Sequence, residues 1–153
     1  MATIKSEVQT ASALTVTGLA SLNPASSLYA VSAEINHSTN DPLDVLIDVT
    51  ATTGTTPTGN KQLVVFAKAS LDGTNFGSGP ESATTATTNE ADLHYVGSLP
   101  MNDTTAHRKI FSLAAAYGGV LPARTKLVFK NDLGVTLTAG SVQIAEVWGV
   151  AAA

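Results

Sequence analysis

Apolar side chains recur at every second residue along most of this chain, and that spacing constrains its fold more than any other feature. In a strand, residues two apart share a face, whereas a helix needs apolar positions three and four apart. In LYAVSAEINH, Tyr29, Val31, Ala33 and Ile35 share one face. In LDVLIDVT, Leu43, Val45, Ile47 and Val49 share one face, with Asp44 and Asp48 on the other. QLVVFAKAS sets Leu63, Val65 and Ala67 against Val64, Phe66 and Lys68, which predicts burial on both sides for part of its length. SALTVTG, DLHYVGSL, RKIFSLA, TKLVFKND and SVQIAEVWGV continue the pattern, and Gly, Pro, Asn and Thr clusters separate the runs.

The expectation is an all-β, single-domain sandwich of about eight mainly antiparallel strands, jelly-roll-like, over residues 13–153. Residues 1–12 precede the first run and carry the isolated apolar residues Ile4 and Val8. They read as an extended N-terminal arm whose short strand suits pairing with another chain. Met1 and the three terminal alanines are expected to be held by neighbouring subunits. ATTGTTPTGNK and ESATTATTNEA offer little to bury and are expected to form exposed loops or ragged strand ends. Residues 103–117 fit two patterns. A strand to about Leu113 followed by one helical turn is expected. The alternative is a helix capped by Asp103 or Thr104, with Ile110, Leu113, Ala114 and Tyr117 at helical spacing and Gly118 at its end.

Charge narrows the partners. Charged residues make up 13% of the chain, about half the usual share. The polar surface is therefore built from Thr, Ser, Asn and Gly. Net charge is −4 and the basic residues are scattered, only Arg108 and Lys109 being adjacent, so nucleic acid is not expected as a partner. No run approaches the roughly 20 apolar residues of a membrane span. Absence of cysteine excludes disulfides, Cys-ligated zinc and thiol catalysis. The first residues lack the pattern of a secretory signal, and synthesis in the cytoplasm of the host is expected.

Each motif with a chemical reading has a plainer one. Asp72-Gly73-Thr74-Asn75 follows a strand, as a turn would, and lacks the regularly spaced oxygen ligands of a calcium loop. GTTPTGNK departs from the phosphate-loop pattern: Asn60 intervenes, Lys61 comes one place late, and a strand rather than a helix follows. His37, His94 and His107 lie in different segments without ligand spacing. Ser78, in FGSGP, lacks the spacing of a nucleophile elbow. Asp41, Asp44 and Asp48 read as a solvated strand edge. Trp148 is in phase with Ile144 and, like Tyr29, is expected in the core. That leaves Tyr95 and Tyr117 as the aromatic rings available to a sugar, each with packing as its plainer role. No catalytic, cofactor-binding or metal-binding residue is assigned, and an enzyme is not expected.

The run LVVFAKASLDGTNF, then LHYVGSLPMNDTTAHRKIFSLAAAYGGVLPARTKLVFKNDLG, then VQIAEVWGV, resembles small virion structural proteins of tailed bacteriophages. The likeness covers roughly residues 62–150 and is greatest to head decoration, or cement, proteins built on a β-sandwich. SLDGTNF and GGVLPARTKLVFKND are its most telling pieces, and both are structural punctuation. The resemblance implies a non-enzymatic protein on the outer capsid surface of the virion, made in the bacterial cytoplasm. Its partners would be the major capsid protein and further copies of itself, a trimer being one arrangement, with no cofactor. Tail and fibre components share these features, so a receptor- or glycan-binding module is the alternative.

Overall fold

The structure, a computed structural model, describes residues 4–25, 28–81 and 89–151. Met1, the last two alanines and most of the ESATTATTNEA stretch lie outside those residues, and with them the expectations placed there. The described strands are β1 (Ile4–Val8), β2 (Ser12–Leu14), β3 (Val16–Thr17), β4 (Tyr29–Ser32), β5 (Ile35–Asn36), β6 (Asp44–Thr53), β7 (Gln62–Ser70), β8 (His94–Pro100), β9 (His107–Ser112), β10 (Arg124–Asn131) and β11 (Leu137–Ala151). A single helical turn, α1 (Leu113–Ala116), follows β9. No described helix is long and apolar enough to cross a membrane.

Every pairing between these strands is antiparallel. One sheet runs β1-β11-β6-β9, with β2 also against β11. The other runs β3-β4-β10-β7-β8, with β5 also against β10. Most connections pass from one sheet to the other, which is how a chain of alternating strands covers both inner faces. The result is the expected all-β sandwich, with more strands because two of the expected runs are divided. SALTVTG breaks at Thr15 and LYAVSAEINH breaks after Ser32. The two interruptions face each other, Ala33 N donating to the Thr15 carbonyl at 2.8 Å.

The inner faces supply the core. β6 contributes Val45, Ile47, Val49 and Ala51; β7 contributes Leu63, Val65 and Ala67; β10 contributes Leu127 and Phe129. Fully burying such side chains stabilises the fold by about 1.5–3 kcal/mol each. The predicted double-sided burial of β7 is realised. Its other face carries Val64 and Phe66 into a second cluster with Tyr29, Val31, Leu93 and Val128. Lys68 is 1% exposed there, its ammonium donating to Glu81 at 2.6 Å.

Residues 103–117 follow the strand-then-turn expectation. Ser112 ends β9 and caps α1, its hydroxyl accepting from Ala115 N at 3.1 Å. Asp44 accepts from Ala114 N at 2.8 Å and from the Ser112 hydroxyl at 2.6 Å, tying the turn to β6. Asp44 is therefore a half-buried structural acceptor rather than part of a solvated edge.

The N-terminal arm lies against its own chain. β1 pairs with the last five residues of β11, from Ile4 opposite Ala151 to Val8 opposite Val147. β2 continues along the same side of β11, with Ser12 opposite Ile144. Between them the arm advances four residues while β11 advances three. That extra residue is a bulge, and it reverses the facing of the arm. Leu14 pairs with Val142 and packs on the core, whereas Ile4 and Val8 fall on the opposite face of the sheet.

Candidate interaction surface

The sequence motifs resolve mostly into structure. Asp72 is the hub of its turn: Oδ1 accepts from Thr74 N and Asn75 N, each at 2.8 Å, and Oδ2 accepts from the Asn75 amide at 2.7 Å. Ser70 closes the other side, accepting from Gly73 N at 2.9 Å. Gly73 takes φ +76°, a conformation that favours glycine. These backbone and side-chain donors, Asn75 foremost, hold the Asp72 carboxyl well below the usual carboxylate range. Its oxygens are engaged by the turn itself. The turn is not a tight hairpin, because β8 begins only at His94. Phe76 returns to the sheet as expected and lies under two ammonium groups, Lys126 at 4.3 Å and Lys68 at 5.9 Å from the ring centre.

The GTTPTGNK loop is clamped to the β10–β11 turn, Thr58 N and Gly59 N both donating to the Leu133 carbonyl. Lys61 N-terminal to β7 takes φ +57°, and a strand follows it. The histidines stand apart. His37 is buried and shares a hydrogen bond with the Thr125 hydroxyl; its Nδ1 has no partner among the described residues. Burial lowers its pKa, against a smaller opposing pull from Glu146. His94 stacks on Tyr117, and His107 meets Asp103 at 3.0 Å. No group of three or more potential metal ligands occurs among the described residues. Arg108 is bidentate to Asp48, so the adjacent basic pair is divided: Lys109 instead donates to the Ser98 carbonyl.

The aromatic residues part company. Tyr29 is in the core, its hydroxyl donating to Glu90 at 2.6 Å. Tyr117 is half-buried with its hydroxyl enclosed. Tyr95 is 59% exposed and edge-on to Phe66. Trp148 departs from expectation. It is half-buried rather than in the core, its indole N–H donating to Glu146 at 2.7 Å. The cause is strand length: β6 begins opposite Val147, so beyond that point β1 is the one described strand beside β11. Leu43, in phase with the core by sequence, is 55% exposed for another reason: its N–H meets the carbonyl of Val147, already paired with Asp44, so the phase of β6 breaks there and Leu43 lies on the face away from the core.

The overhang is the surface that residue reading missed as a unit. Ile4 is 73% and Val8 57% exposed, although both are strand residues. Ile4 and Leu43 converge over Gly149, where an added Cβ would lie 3.3 Å from each. Leu43 in turn borders an open cleft of about 360 Å³ shared with Val120, Leu121, Pro122 and His37. Ile4, Leu43 and Val120 thus lie along one end of the sandwich, all exposed and apolar. Single exposed apolar residues are ordinary, but a connected set beside a free strand edge is the pattern of a protein contact. The alternation in IKSEV was the available signal; the bulge that turns it outward was not. No family model and no curated protein matches the chain.

Proposed function

We propose that this protein is a non-enzymatic virion component of a tailed bacteriophage, a capsid decoration protein that lies on the head and braces contacts between major capsid protein subunits. The observation that carries the reading is the apolar overhang of β1 and β11, with Ile4, Val8 and Leu43 exposed on a rigid two-sheet body. Such a body transmits load through its strands, and the overhang, with the cleft beside Leu43, provides apolar area for attachment. The likeness of residues 62–150 to phage structural proteins supports the same reading. In a test with empty phage heads, the full chain co-sediments with them and a chain lacking residues 1–12 does not. Equal binding by both would sink the assignment of the arm, and no binding by either would sink the capsid reading.

Exposure of Tyr95 favours a second reading, a glycan-binding module on a tail or fibre. An aromatic ring presented edge-on to Phe66 is a platform on which a sugar can stack. Under that reading Tyr95→Ala abolishes binding to host polysaccharide and leaves head binding unchanged.

A further inference from the structure

Among the described residues β1 is an edge strand with no strand paired on its outer side, and its five residues are self-complementary. Gln9 N donates to the Glu146 carbonyl, which sets the alternation along the arm. Residues 5, 7 and 9 direct their backbone groups at β11, so Ile4, Ser6 and Val8 direct theirs outward. All five side chains of Ile4-Lys5-Ser6-Glu7-Val8 are exposed. An edge of this kind is a template for another strand unless something guards it.

We infer that β1 pairs antiparallel with β1 of a second copy of this chain, about a two-fold axis through Ser6. In that register Ser6 opposes the partner's Ser6. Lys5 opposes the partner's Glu7 on one face, and Glu7 opposes the partner's Lys5. On the other face Ile4 opposes the partner's Val8. Four charges form a square of alternating sign, and four apolar side chains close over the opposite side next to Leu43.

The register selects itself. Outward backbone must meet outward backbone, so allowed registers differ by two residues. A shift one way sets Lys5 against the partner's Lys5, and the other way sets Glu7 against the partner's Glu7. Like charges directly opposed destabilise a strand pair, and opposite charges stabilise it. The bulge after Val8 completes the argument: it places Ile4 and Val8 on the outward face, where the core cannot claim them. Two-fold closure also leaves neither copy of β1 with an open edge, and the sheets join into one continuous sheet across the pair.

This inference concerns the free chain and does not rest on the capsid reading; either can fail alone. The test is the mass of the full chain by sedimentation at concentrations up to about 100 µM, a range that detects moderate self-association. Wild type is expected as a dimer. Lys5→Glu and Glu7→Lys each weaken it about tenfold or more by opposing like charges, and the double exchange K5E/E7K restores it to within about threefold. These residues are exposed, so far-UV circular dichroism stays at the wild-type value, and so does the melting temperature at dilutions where every variant is monomeric. Because the chain has no cysteine, Ser6→Cys gives one thiol, and mild oxidation links it to the partner's thiol in high yield. A wild-type monomer throughout the range would overturn the inference. So would a dimer indifferent to both single exchanges, a double exchange weaker than either single one, or no cross-link from Ser6→Cys.

Discussion

His37 is a buried imidazole whose neutral form the fold prefers, and that preference sets a pH dependence. Its folded-state pKa lies below the ordinary 6.5, chiefly through burial. The unfolded chain therefore binds the proton more readily. The full contribution is present above about pH 7, and it falls as pH drops through the unfolded-state value, with a limiting slope of about 1.4 kcal/mol per unit. Urea unfolding between about pH 8 and 5 measures it, and His37→Gln removes the His37 part of the slope. Tyr117 presents the opposite case, an enclosed hydroxyl with no hydrogen-bond partner among the described residues. Tyr117→Phe relieves that cost and leaves the ring against His94, so the protein gains up to about 1 kcal/mol in urea denaturation. At Asp72, Asp72→Ala strips the acceptor from Thr74 N and Asn75 N, and their amides exchange faster with solvent while the core is unchanged. The chemistry of this turn was legible: Asp, Gly and Asn at those positions carry the bonds that bend a chain. The burial of His37 was not, because it depends on Thr125, far away in sequence.

Elements fail where two strands meet, and β8 shows why. Val65 pairs with Gly97 while Phe66 pairs with Tyr95, so Val96 is an extra residue in the ladder. Gly97 sits beside this bulge, and the Phe111 ring from β9 occupies the space where a side chain would begin: an added Cβ would lie 2.5 Å from it. Gly97→Ala forces the ring or the strand aside and costs about 1–3 kcal/mol. Combining it with Phe111→Leu recovers part of the loss, and a double-mutant cycle by urea denaturation measures the coupling. The arm offers a second element-scale prediction. Removing Thr10 cancels the one-residue excess between β1 and β2. The facing of β1 then reverses, placing Lys5 and Glu7 on the outward face with Ile4 and Val8 beneath. In the monomer the Ser6 and Val8 amides then turn toward β11 and exchange more slowly with solvent, while those of Lys5 and Glu7 exchange faster, as hydrogen exchange measures. Nothing in the residues 9–11 announces a bulge, since Gln, Thr and Ala are at home in a regular strand.

At the scale of the molecule, nearly all strand pairing joins segments distant along the chain, β1 with β11 being the extreme case. Such a topology folds in milliseconds to seconds, and stopped-flow refolding is expected in about that range. The sequence by itself determined that this would be a β protein and which residues would alternate, because side-chain facing in a strand is a local property with a period of two. It determined the double-sided burial of β7, where both faces are apolar; over residues 103–117 it left strand and helix both open, and the pairing of β9 with β6 decided for the strand. Tertiary structure alone decided what each face meets. Trp148 has core phase but misses the core, because β11 outruns β6 by several residues. Ile4 and Val8 are apolar in strands yet lie in the open, because one extra residue reverses their facing. Phase is written in neighbouring residues, but strand length relative to a partner and the register between them depend on residues more than a hundred positions apart.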